Sequence, residues 1–100
     1  MDCDVCGRDI DHNYNRAKIT GRYSPVAKLC FLHAEAAVQV ADNGTVNWLA
    51  MVHATVRLRQ EEPNLFEEPD RYAEWDPLPR LVALYRAALA EYPKDLPPPT

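Results

Sequence analysis

The spacing of apolar residues changes along the chain, and each change marks an element. Between residues 8 and 29 there is no helical stripe: Ile10, Ala17, Ile19, Tyr23 and Val26 lie among Asp, Asn, Gly and Pro. That pattern predicts a short, irregular β-hairpin with loops, turning at Asn13 and Asn15 or at Thr20-Gly21. From Cys30 to Asp42 the chain is rich in Ala and Val and has no breaker, which predicts a first helix closed by Asn43-Gly44 as its C-terminal cap. Thr45 or Asn47 can cap a second helix that runs to about Gln60, ahead of Pro63. Its apolar residues fall on two stripes, one of Val46, Leu49, Val52 and Val56 and one of Trp48, Met51, Thr55 and Leu58. A helix apolar over most of its circumference belongs at the centre of a core.

The third helix has the clearest signal. Asp76 suits its N-cap and Pro77 its first position. Leu78, Leu81, Val82, Tyr85, Ala88, Leu89 and Tyr92 then recur at three- and four-residue spacing, with Arg80, Arg86 and Glu91 on the other face. Pro93 stops the helix, and Leu96-Pro97-Pro98-Pro99 reads as a frayed polyproline tail over 93–100. The expected architecture is one small α-rich (α+β) domain over 1–92. An N-terminal knuckle and short hairpin (1–42) lead into a central helix (45–60), an acidic loop (61–76) and an amphipathic C-terminal helix (77–92). That last helix is also a natural homodimer surface.

Composition narrows the class. One hundred residues, 47% hydrophobic and 26% charged, suit a single globular domain. No apolar run reaches the roughly 20 residues a membrane span needs, and the start, Met1-Asp2-Cys3, lacks the apolar stretch of a secretion signal. The expectation is a cytoplasmic protein with no membrane partner, of a size that would suit a phage-encoded or accessory bacterial protein. The net charge of −4 is unevenly spread: residues 61–76 hold seven acids and one arginine, while the rest is close to neutral.

Three cysteines leave one over in any disulfide scheme, whereas Cys3-x-x-Cys6 followed by Cys30-x-x-His33 has the spacing of paired metal ligands. A Cys₃His set satisfies one tetrahedral, structural Zn²⁺ with no open position. Gly7 suits a tight turn whose N–H groups point at sulfur, where a side chain would crowd. Cys30 and His33, three apart, share one face of an opening helical turn whose N-terminus favours a thiolate. His12 competes with His33 as fourth ligand, and His53 reads as a core-edge histidine.

Cys3-Asp-Val-Cys6-Gly7, a 23-residue spacer, then Cys30-Phe-Leu-His33 opening an Ala-rich helix resembles the treble-clef class of zinc finger. The likeness covers residues 1–42. A second resemblance, to phage recombination endonuclease VII and its HNH-type relatives, rests on Cys3-x-x-Cys6, Asp11-His12, Thr20-Gly21 and Leu29-Cys30-x-x-His33 in the same order. It implies Asp11 as a ligand for a divalent cation and His12 as the group that activates water. Against it, Asp11-His12 stands only four residues beyond Cys6, Ala34 replaces the family's asparagine, and His33 replaces its last cysteine.

Three function classes follow. The first is a protein-binding adaptor or inhibitor. Its surface would be Glu61, Glu62, Leu65, Phe66, Glu67, Glu68, Asp70, Tyr72, Glu74 and Trp75, aromatic anchors in an acidic frame suited to a basic partner. The same aromatics could instead complete the core while the acids solubilise a loop. The second is nucleic-acid binding through Arg8, Arg16, Lys18, Arg22 and Lys28, with Tyr14 and Tyr23 among them, although Asp2, Asp4, Asp9 and Asp11 nearly cancel those charges. The third is the nuclease that Asp11 and His12 would serve, or its inactive relative. With no convincing catalytic constellation, the weight falls on binding rather than chemistry.

Overall fold

The computed structural model describes residues 1–10, 15–64 and 78–92. Within them the chain runs β1 (Asn15–Thr20), β2 (Val26–Leu29), α1 (Phe31–Val40), β3 (Thr45–Asn47), α2 (Trp48–Glu61) and α3 (Leu78–Glu91). α1 packs against β1 and β2 of a three-stranded sheet ordered β2-β1-β3, α2 follows directly from β3, and α3 packs against α1 and α2. No helix among the described residues is long and apolar enough to cross a membrane.

The expected hairpin forms. β1 and β2 pair antiparallel, with Asn15 opposite Leu29 and Lys18 opposite Val26. Ile19, Ala27 and Leu29 turn into the core, and Gly21, at φ +87°, opens the connection at the Thr20-Gly21 position. Asn15 lies in the strand rather than in a turn.

The next turn departs from expectation. α1 ends at Val40 and Ala41 is already extended, so Asn43-Gly44 does not cap the helix. Asn43 (φ +52°) and Gly44 (φ +78°) instead form a two-residue turn closed by reciprocal Asp42–Thr45 backbone hydrogen bonds of 2.9 and 3.0 Å. Two consecutive left-handed residues of the type Asn-Gly are the preferred chemistry of such a turn. It reverses the chain into β3, a strand that the apolar spacing alone does not reveal. β3 runs parallel to β1 with Val46 beside Ile19, and the β2–α1 crossover makes that pairing possible.

Asn47, not Thr45, starts α2; its side-chain oxygen accepts a hydrogen bond from the Ala50 N–H at 3.0 Å. α2 buries Ala50, Met51, Ala54, Thr55 and Leu58. Within the helix the other proposed stripe is not core, because Val56 is 50% exposed and Leu49 and Val52 are only half-buried; its first member, Val46, is buried but belongs to β3. α2 is therefore one-sided rather than surrounded. α3 buries Leu81, Val82, Tyr85 and Ala88 against α2 and α1, as its spacing demands. Arg80 clamps the two helices with ion pairs to Glu61 and, at 3.1 Å, to Glu62. Asp76, Pro77, the segment 65–77 and the tail 93–100 lie outside the described residues.

Candidate metal centre

Two backbone devices bring the four predicted ligands together. The first is the knuckle. Asp2 bridges Asp9, the Cys3 N–H donates to the Arg8 carbonyl at 2.7 Å, and the Gly7 N–H donates to the Cys3 carbonyl at 2.9 Å. Gly7 adopts φ +77°, so the backbone there needs glycine. Space is not the reason: a Cβ at Gly7 would meet nothing within 4 Å, which corrects the expectation of crowding. The second device docks this knuckle on β2. The Asp4 N–H donates to the Lys28 carbonyl at 2.8 Å, and the Asp4 carboxylate accepts from the Lys28 N–H at 2.9 Å. Cys30, two residues further on, is then held at the N-cap of α1, and His33 lies in its first turn.

Cys3, Cys6, Cys30 and His33 are all buried, and their ligand atoms lie within 4.8 Å of one another. Cys6 and Cys30 sulfurs are 3.8 Å apart, nearly twice a disulfide's S–S length of about 2.05 Å. His33 Nδ1 lies 3.3 Å from the Cys30 sulfur and 4.0 Å from that of Cys3. Zn–S and Zn–N bonds of about 2.3 and 2.05 Å would give tetrahedral edges of about 3.8 Å (S···S) and 3.6 Å (S···N). The observed separations match or straddle those edges, so the site is compatible with one metal ion such as zinc.

The electrostatics also call for a cation. Hydrogen bonds from the Cys30 and then the Cys6 thiol drive the Cys3 thiol far below the usual range, while donating to Cys3 pushes Cys30 and Cys6 up, burial adding to the rise. Three thiolates buried this close together would repel one another. A divalent ion lets all three sulfurs ionise. Arg8, only 8% exposed, lies beside the same sulfurs; burial lowers its pKa, and the three cysteines oppose that fall. A Cys₃His–dication site carries a net −1, which a buried guanidinium offsets.

A second layer fixes the imidazole. Thr55 on α2 donates its hydroxyl proton to the Met51 carbonyl at 2.8 Å, leaving its oxygen to accept from His33 Nε2–H at 2.7 Å. That arrangement selects the tautomer whose Nδ1 lone pair faces the sulfurs. Tyr85 of α3 closes the layer, its ring centroid 6.1 Å from that of His33. The Tyr85 hydroxyl sits near Thr55 without a well-formed hydrogen bond, and burial pushes its pKa well up. Thr55→Val keeps the shape and removes the acceptor. Metal affinity should fall about 10- to 100-fold, read by competition with a chromogenic chelator. Unchanged affinity would mean that the Thr55 contact does not orient His33.

The remaining predicted residues are scattered. Asp11 and His12 lie outside the described residues, as do Leu65, Phe66, Glu67, Glu68, Asp70, Tyr72, Glu74 and Trp75. Glu61 and Glu62 are engaged by Arg80. Of the basic set, Arg16 and Lys18 are exposed and Lys28 is half-buried. Arg22 pairs with Asp4 at 3.4 Å and stacks 4.4 Å from the Trp48 ring, and Arg8 is withdrawn into the metal centre. His53 sits at the edge of the α2–α3 contact, 3.5 Å from Glu91 and 3.3 Å from the Tyr92 hydroxyl. Sequence reasoning missed Arg8, Thr55 and Tyr85 as neighbours of the cluster; their positions follow from how the helices pack, which no local spacing encodes. The chain matches no protein-family model, no curated protein and no solved structure, so neither the treble-clef nor the endonuclease VII resemblance has a family match behind it.

Proposed function

We propose that this protein is a small zinc-stabilised protein-binding module, an adaptor or inhibitor whose metal is structural. The observation that supports the reading is the donor set itself: four buried candidate ligands, three of them sulfur, which is the full complement of a tetrahedral structural site. Three thiolates already neutralise Zn²⁺ and make it a poor Lewis acid, so the ion serves to hold the knuckle, hairpin and α1 together.

The partner surface is the acidic segment after α2. With Glu61 and Glu62 occupied by Arg80, residues 65–76 still carry Glu67, Glu68, Asp70, Glu74 and Asp76 against Arg71, interleaved with Leu65, Phe66, Tyr72 and Trp75. Such a mixture suits a basic partner, the rings supplying desolvated anchors and the charges accelerating and selecting association. The test has two stages. A partner captured on the wild-type chain is purified, and its direct affinity is compared across Trp75→Ala, Phe66→Ala and Glu67→Lys/Glu68→Lys. At least one variant should lose about tenfold or more (1.4 kcal/mol) with zinc content unchanged. Equal affinities for all of them would sink the assignment of this surface.

A further inference from the structure

Arginine is seldom buried without an opposite charge facing it, and the knuckle buries one. Arg8 is 8% exposed, while Gly7 before it and Asp9 after it are exposed. The Cys3 N–H fixes its backbone by donating to the Arg8 carbonyl at 2.7 Å, and the Arg8 N–H donates in turn to the Cys6 sulfur. The side chain is withdrawn with the backbone. Its Nε and Nη1 are both buried, and the sulfurs of Cys30, Cys6 and Cys3 all act electrostatically on the guanidinium.

Two other cations border the knuckle, and both face carboxylates rather than sulfurs. The Met1 ammonium lies 3.1 Å from Asp9, and Arg22 lies 3.4 Å from Asp4 while it covers the Trp48 ring. A guanidinium keeps its proton inside a protein, so the charge that Arg8 brings to the cluster is permanent.

The consequence is chemical, and it rests on the reading of the cluster as a metal centre. Three thiolates and a neutral imidazole around a divalent ion leave one excess negative charge, carried on sulfur. Thiolates are the nucleophilic form of cysteine, so such sulfurs can attack electrophiles even while they hold the ion. A cation fixed beside them makes them less basic, and thiolate nucleophilicity falls with basicity. Outer groups of this kind tune a metal centre as much as its ligands do.

We infer that Arg8 is the charge-balancing residue of the metal centre, and that its guanidinium makes the metal-bound thiolates of Cys3, Cys6 and Cys30 poor nucleophiles. This deepens the structural role given to the ion: a neutral centre holds the knuckle to α1 and resists alkylation, whereas a negative one would be open to it.

The experiment uses the full chain, loaded with Co²⁺ for spectroscopy and with excess Zn²⁺ for reactivity. Arg8→Met keeps most of the stem and removes the charge, while Arg8→Lys keeps the charge. In Arg8→Met the sulfur-to-cobalt charge-transfer band should move to lower energy, because sulfur electrons no longer held by a neighbouring cation are easier to remove. Alkylation by iodoacetamide, in which each sulfur bonds the CH₂ carbon and displaces iodide, should quicken about threefold or more. Arg8→Lys should restore most of the wild-type band and rate. One ion per chain and wild-type helicity identify the folded variants; should Arg8→Met take up no ion, Arg8→Gln stands in its place with the same expected shifts. A band and a rate unmoved by loss of the charge overturn the inference. So does an Arg8→Lys variant that matches Arg8→Met, which would assign the effect to packing of the stem. A wild type that takes up no cobalt overturns the metal reading itself, whereas loaded variants with wild-type spectra and rates overturn the role of Arg8 alone.

Discussion

Replacing Cys30 with serine should abolish metal binding and unfold at least residues 1–42. The reason is a comparison of magnitudes. Structural zinc in small domains contributes an apparent ~10–16 kcal/mol at neutral pH, whereas a domain of this size is stable by only about 5–15 kcal/mol. Cys30 touches both halves of the site: its sulfur faces Cys6 and His33, and its backbone starts α1. Without the metal, Asp2–Asp9 is held only by the Asp4–Lys28 hydrogen bonds, the half-exposed Arg22–Asp4 ion pair and the partial burial of Val5 and Ile10 among the described contacts. Native mass spectrometry should show one zinc in the wild type and none in the variant, with the amide signals of 1–42 collapsing to random-coil positions. Cys3→Ser should behave the same way. Native helicity and an unchanged melting temperature in either variant would show that the cluster is packed thiols rather than a metal-held joint. His33→Ala compared with His12→Ala then separates the two candidates for fourth ligand. Zinc weakened by the first substitution and not by the second is the expected result, because His33 Nδ1 already faces two of the sulfurs.

The ligand set was legible because it rests on local spacing. A Cys-x-x-Cys loop and a Cys-x-x-His helical turn each place two donors side by side whatever the rest of the chain does. The same holds for α3, whose three- and four-residue repeat named Leu81, Val82, Tyr85 and Ala88 as buried. What spacing could not supply was tertiary. β3 is three residues long, too short for an alternation to register, and it exists because β1 offers it a parallel partner. Asn43-Gly44 carried the information for the turn that leads into it, but the same dipeptide also ends helices, and the extended Ala41 decided between the two. The two stripes of α2 were equally apolar on paper; Met51, Thr55 and Leu58 are buried, while Val56 is left to water. Thr55 illustrates the limit best. In sequence it is one more member of a stripe, and in the fold it is the hydroxyl that orients His33.

Leu81→Asp is the substitution expected to damage the helical half most. Leu81 is fully buried on α3, in the same core as Met51, Leu58 and Tyr85. Removing a buried leucine side chain alone costs about 3–5 kcal/mol, and a carboxylate left there without a partner adds a desolvation penalty of similar size. At roughly 4–8 °C per kcal/mol for a domain of this length, the melting temperature should fall by 20 °C or more, if the chain folds at all. Leu89→Asp is the internal control. Leu89 is on the same stripe but only half-buried, so a carboxylate there can reach water, and the loss should be about 1–2 kcal/mol. The contrast carries the argument about zinc as well. Tyr85 lies one turn beyond Leu81 and packs beside His33, so displacing α3 strips a wall from the metal site. Leu81→Asp should therefore weaken zinc retention along with thermal stability, whereas Leu89→Asp should leave zinc retention intact. Equal melting temperatures for the two variants would place the α3 stripe against a second molecule instead of against α1 and α2, and size-exclusion chromatography would then show a dimer that Leu81→Asp dissociates.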